Sequence, residues 1–202
     1  MSAALRLPPR QMSVAEFLDW AASPAGGDVA WQLRDGEPEA MTPASETHGC
    51  LQAELAYLLA DHLSRTGRPC RVVIAPGVIP RLRSERNILV PDLGVTCAPP
   101  SPGTALPEPL VLIEVLSPSN EAATRANVWA YASIPTVAEI VVVSSTAVAA
   151  EVTRRRPDGT WPETAEMVGA GGALRIEAIG FEAPLVAAYR TTALAGPDQP
   201  AS

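Results

Sequence analysis

Apolar residues along the chain keep two rhythms, and the switches between them outline its elements. Between Ser45 and Gly67 leucines stand at 51, 55, 58, 59 and 63. That spacing makes one stripe on a 3.6-residue repeat and predicts a long helix, capped by Ser45 and stopped by Gly67. Ser13-Val-Ala-Glu16 has the form of a capping box and predicts a short helix to about Ala22. Val29 to Arg34 and Glu37 to Met41 flank Asp35-Gly36, the turn pair of a β-hairpin.

Strand-like runs dominate the rest of the chain. Cys70 to Ala75 and Val78 to Leu82 are expected as strands joined at Pro76-Gly77. Ile88 to Cys97 reads as a strand broken by Pro91 and Asp92. Leu110 to Leu116 is the most continuous apolar run, so it is expected at the centre of the sheet. Ser117-Pro-Ser119 is expected to cap a helix from Asn120 to Ala132. Glu139 to Ser144 is a further buried strand. Val148 to Arg156, turning at Pro157-Asp-Gly159, returns near Thr164 to Val168, and Phe181 to Tyr189 is expected to be a closing helix. The order α, ββ, α, βββ(β), α, β, ββ, α predicts a mixed α/β fold in which a mostly antiparallel meander precedes one crossover helix.

Two acids disturb the apolar pattern. Glu114 lies inside Val-Leu-Ile-Glu-Val-Leu, where a bare carboxylate costs several kcal/mol unless paired or bound to a cation. Asp92 comes directly after the strand-breaking proline. If the two strands are neighbours, both acids converge, and with a backbone carbonyl such as that of Val115 they form a hard oxygen site for Mg²⁺ or Mn²⁺. The competing reading pairs the acid with Arg71, Arg81 or Arg83.

Composition narrows the chemistry. The 202 residues suffice for one domain, and 47% hydrophobic content places the chain in the globular range. Residues 1–12 and 195–202 are expected to be loose ends around a domain of residues 13–194. All 15 basic residues are arginine, so Schiff-base and P-loop chemistry through a lysine of this chain is excluded. The net charge of −7 argues against bulk attraction to nucleic acid, so any contact with DNA must be local. Cys50, Cys70 and Cys97 have neither zinc spacing nor an even count and are expected to be reduced core residues. With no signal-peptide pattern and no membrane-length apolar run, a cytoplasmic protein is expected. Arg154-Arg155-Arg156, the one basic run, reads as a solvated hairpin end, with a phosphate-contacting tip as the alternative.

Val90-Pro91-Asp92, together with Ile113-Glu-Val-Leu-Ser-Pro-Ser119 further on, resembles the Uma-two family of restriction endonucleases, within the PD-(D/E)XK nuclease superfamily. Val14 to Leu18, Leu33 to Glu37, Met41 to Ser45 with His48, and Tyr131 extend the likeness from about Ser13 to Thr192. It implies a restriction-endonuclease-like mixed sheet flanked by helices. It also implies an endonuclease that hydrolyses DNA, with Asp92, Glu114 and the Val115 carbonyl holding Mg²⁺ or Mn²⁺. A homodimer would suit cutting both strands of a duplex.

The resemblance breaks at the lysine. Position 116, on the same strand face as Glu114, is Leu. In the family the lysine sits on the next helix, one turn before a tyrosine. Counting from Tyr131 the match is Asn127, with Ala123 in place of an acid; counting from the SPS motif gives Thr124 and Val128, equally uncharged. Arg125 lies about 200° around the helix from Asn127 and is expected to face away. Gln32 replaces a common family Glu. His48 has two readings, a site residue or a hydrogen-bonded histidine at a helix start. Tyr131 is expected chiefly to pack, within reach of the site together with Gln32 and His48. A nuclease with a degenerate site is therefore the leading expectation, and a catalytically silent binding or assembly protein the rival.

Overall fold

The computed structural model describes residues 11–195. Of the expected loose segments 1–12 and 195–202, residues 1–10 and 196–202 lie outside the described residues. Met12 is already buried against Phe17, Leu33 and Ile88.

Six strands form the main sheet in the order β3-β4-β5-β6-β7-β8: β3 Arg71–Ile74, β4 Leu93–Thr96, β5 Pro109–Leu116, β6 Glu139–Ser144, β7 Ala149–Arg154 and β8 Glu166–Gly169. Every neighbouring pair is antiparallel except β5 and β6, joined in parallel through helix α3 (Glu121–Ala132). Parallel neighbours need such a crossover, so the one pattern-predicted helix between two buried strands dictates this step. β5 is central and its side chains divide by parity. Val111, Ile113 and Val115 face helix α2 (Glu46–Thr66) and its leucines 51, 55, 59 and 63. Leu112 faces the other way, against Tyr131 and Ile134 of the α3 side. Glu114 shares Leu112's parity and points at α3.

Around this sheet sit α1 (Val14–Ala21), whose capping box forms as expected, and the hairpin of β1 (Trp31–Arg34) with β2 (Glu37–Ala40). Asp35 and Gly36 both have positive φ, as their two-residue turn requires. Ser45 and Gly67 cap α2 as expected.

Four expectations are corrected. Val78 to Leu82 is not a strand; only single bridges at Gly77 and Val78 form before the chain turns at residues 81–86. The closing helix is instead β10 (Phe181–Pro184), paired with an unforeseen β9 (Ala173–Ile176) and leading into a 3₁₀ turn at Leu185–Tyr189. Pro184 and the left-handed Gly180 explain why an apolar run there bends rather than coils. Asn120, not Ser119, occupies the α3 N-cap. It uses its side chain elsewhere, accepting from the Ser117 N–H and donating to the Val115 carbonyl.

Finally, Cys70 and Cys97 form a disulfide, so the reading of three reduced cysteines fails. The two cysteines stand one step beyond the paired residues Arg71 and Thr96 of neighbouring strands. That cross-strand placement is set by register and is invisible in spacing. Cys50 stays free. No helix among the described residues is long and apolar enough to cross a membrane.

Candidate active site

The end of the β4–β5 pairing creates the site. Leu93 is registered with Ile113, so antiparallel geometry sets Asp92 opposite Glu114. Pro91 interrupts the strand there, and the Asp92 side chain replaces the missing backbone partner. Its Oδ2 accepts from the Val115 N–H at 2.6 Å, and its Oδ1 accepts from His48 Nε2 at 2.6 Å. The Asp92 carbonyl accepts from the Ala75 N–H and from Gln52 Nε2. Side chains of α2 and backbone groups of β5 and the end of β3 thus fix this aspartate together.

Glu114 is 5% exposed. Its Oε1 accepts from Tyr131 Oη at 2.7 Å and from Asn127 Nδ2 at 3.0 Å. Both donors are neutral, one turn apart on α3. Burial, reinforced by the nearby Asp92 charge, raises its pKa to about 7 against the pull of Tyr131, Asn127 and His48. The His48 imidazole is raised chiefly by its hydrogen bond to Asp92, against desolvation. Burial and the Glu114 charge push the Tyr131 hydroxyl well above its ordinary value, while Arg34 pulls the other way.

His48, Gln52, Asp92, Glu114 and Asn127 open on a cleft of about 870 Å³, with Tyr131 buried behind Glu114. Gln32, Ala123 and Asn127 line it, as do Ser45, Ser117 and Thr146. The N-termini of both α2 and α3 reach it, so N–H groups and hydroxyls supply much of its polar lining.

All the sequence-derived candidates therefore meet here. His48 fits the site-residue reading while starting its helix, its N–H held by Ser45 Oγ. Tyr131 both packs and bonds Glu114. Gln32 donates to Glu39 and accepts from the Val90 N–H. The Val115 carbonyl takes the Asn120 amide at 3.1 Å and keeps one lone pair. Arg125 turns away to Glu151, as expected. The reading that pairs the buried acid with Arg71, Arg81 or Arg83 does not hold: among the described residues Asp92 is paired with His48 and Glu114 takes Tyr131 and Asn127, while Arg71 binds the Ala98 carbonyl and Arg83 binds Asp35.

The basic run is corrected as well. Arg154 pairs with Glu166 and lies beside Glu139 and Glu177. Arg155 donates to the carbonyls of Ala132, Ile134 and Val137 at the end of α3 and stacks over Trp161. These two build structure, not a phosphate-reading tip. Two functional neighbours escaped the pattern altogether. Arg34 donates through NH2 to Asn127 Oδ1 at 2.8 Å, and Gln52 holds Asp92. The one available signal for Arg34 was its parity with Gln32 on a single hairpin face.

A divalent ion is tested by the donors on offer. No cluster of three or more His, Cys, Asp or Glu forms among the described residues. What exists is a carboxylate pair of like charge, with Glu114 using only Oε1 in hydrogen bonds among the described residues. Two carboxylates and a carbonyl suit Mg²⁺ or Mn²⁺, which keep several waters, better than zinc.

Comparison with known proteins agrees with this geometry. The model of the Uma2 family, described as "Putative restriction endonuclease", matches residues 14–185. The uncharacterized protein slr1290 of Synechocystis is 29% identical over 154 residues, covering 75% of this chain and 78% of that protein. A crystal structure from Anabaena variabilis, described as "a putative nuclease belonging to DUF820", superposes with a TM-score of 0.70. It covers 89% of this chain and 98% of that one, and at 14% identity the likeness is one of fold. With the family model spanning both carboxylates, the hairpin and helices α1, α2 and α3, the chain belongs to the Uma2 family.

Proposed function

We propose that this protein is a divalent-metal-dependent endonuclease that hydrolyses DNA phosphodiester bonds. The observation that carries the reading is the pairing of Asp92 with a Glu114 whose carboxyl is pushed up to about 7, at the floor of a wide cleft. Asp92 and Glu114 would hold Mg²⁺ or Mn²⁺, with the Val115 carbonyl beside them. The ion would supply Lewis acidity toward the phosphoryl oxygen and a more acidic water. Asn127 and Tyr131 orient the glutamate. His48 fixes Asp92 and carries a proton more readily than a free histidine. The helix N-termini and hydroxyls around the cleft offer an anion contact that needs no lysine, which suits an acidic chain.

Titrating Mn²⁺ calorimetrically into the wild type and into Glu114→Ala tests the reading without a guess at sequence specificity. Saturable binding that Glu114→Ala abolishes, and then Mn²⁺-dependent cleavage of duplex or single-stranded DNA, is the expected result. A catalytically silent binding or assembly protein is the second reading. It is favoured by Leu116 and Asn127, which leave no lysine at either expected position. It predicts no Mn²⁺ heat and no cleavage.

A further inference from the structure

A nuclease site of two carboxylates needs a positive group besides the metal, because charge builds on the phosphoryl oxygens as the bond breaks. Neither Leu116 nor Asn127 provides one. The cation nearest this position comes from the β1–β2 hairpin. Arg34 reaches across and donates through NH2 to Asn127 Oδ1 at 2.8 Å, while Asn127 Nδ2 donates to Glu114 Oε1 at 3.0 Å. The amide lies between a guanidinium and a carboxylate, so its orientation is fixed at both ends. An amide polarised this way is a stronger donor than one facing water.

Arg34 is itself held. Its Nε lies 3.1 Å from both oxygens of Glu39, and Gln32 donates to the same carboxylate at 2.9 Å. Gln32 and Glu39 are registered across the hairpin, and Arg34 shares the face of Gln32. The Arg34 side chain is 23% exposed and that of Glu39 43%, so the countercharge lies toward water, where screening weakens it.

We propose that Arg34 is a positioning residue that polarises and orients the Asn127 amide against Glu114, standing in for the cation that positions 116 and 127 lack. The inference rests on the nuclease reading above and adds to it the role of Arg34.

The test compares Arg34→Met, Arg34→Lys and the double variant Arg34→Met with Asn127→Lys. Each is measured for Mn²⁺ affinity by calorimetry and for DNA cleavage in Mn²⁺. Arg34→Met is expected to bind Mn²⁺ as well as the wild type or better, because a cation near the carboxylates is gone. Its kcat is expected to fall by about 10²-fold with little change in KM. Arg34→Lys should recover part of that loss. Asn127→Lys, which places the charge directly, should recover most of it. Unchanged cleavage in Arg34→Met overturns the inference and leaves the nuclease reading standing. So does a loss of cleavage that Asn127→Lys does not repair, or one accompanied by lost Mn²⁺ binding, since Arg34 would then be supporting structure alone. A wild type that neither binds Mn²⁺ nor cuts DNA overturns both.

Discussion

Two glutamates are buried in adjacent strands of the same sheet, and they are treated oppositely. Glu139 at the start of β6 is 3% exposed and Glu114 near the end of β5 is 5% exposed. Burial raises both. Glu139, although Glu177 stands near it as a like charge, is compensated by the Ala178 N–H at 3.0 Å and by the guanidinium of Arg154, which lies 3.7 Å away. Glu114 receives two neutral donors and no directly bonded cation, with a second acid as its neighbour. An acid kept for architecture is given opposite charge. One left beside like charge at a cleft is suited to receive a cation from solution.

The widest gap between the two acids is expected in metal binding. Glu114→Ala should weaken Mn²⁺ beyond the ~10–100-fold that outer partners of a metal command, whereas Glu139→Ala should leave the calorimetric isotherm unchanged. Equal effects would erase the distinction. Stability should divide them next. Arg154→Met strands the Glu139 carboxylate and is expected to cost about 3 kcal/mol in denaturant unfolding. Glu114→Gln, which keeps an acceptor for Tyr131 and Asn127 and removes the charge, should stabilise the metal-free protein at pH 8 by on the order of 1–3 kcal/mol.

The pH dependence sharpens the contrast further. The folded-state pKa of Glu114 is raised from 4.5 to about 7, so the native state binds more protons across that interval. Its contribution to stability therefore falls as pH rises from about 4.5 through 7. His48, raised by Asp92, acts in the same direction: its contribution is full below the unfolded value of 6.5 and is lost as pH passes the higher folded value. The metal-free protein should melt at a lower temperature at pH 8 than at pH 5.5, and Mn²⁺ should narrow that difference. In Glu114→Gln the slope should shrink to what His48 and the likewise raised Glu139 leave. A smaller effect is expected of His48→Gln, which keeps a donor toward Asp92 and should shift Mn²⁺ affinity by less than Glu114→Ala.

Legibility in the sequence tracked the range of each signal. The capping box at Ser13, the α2 leucine stripe, the Asp35-Gly36 turn and the apolar β5 run are local patterns, and all of them form. Asp92 and Glu114 were conspicuous because each violates its own strand. Tyr131 and Asn127 were linked by one helical turn. Features made by register or by distant contact stayed hidden. Cys70 and Cys97 become partners only once β3 and β4 align. Arg34 reaches Asn127 across 93 positions of sequence. The Phe181 to Tyr189 run is apolar enough for a helix, yet pairing with β9 captured its first half. Arg154 and Arg155 looked like free charge until the ends of α3 and β6 supplied their partners.

The grip of Arg155 on α3 has a mechanical meaning. Its guanidinium binds three carbonyls around the helix's C-terminal end, while the N-terminal turn at the cleft has no side-chain cap. The two ends are held differently: the C-terminal end by a guanidinium on its carbonyls, the cleft end by the Asn120 side chain, which ties the loop before the helix to β5. Tyr131 sits near the Arg155 clamp, Asn127 one turn outward, and Ala123 at the lip of the cleft. The glutamate's two donors thus sit on the half of the helix nearer the Arg155 anchor, and the small Ala123 faces the cleft on the other half.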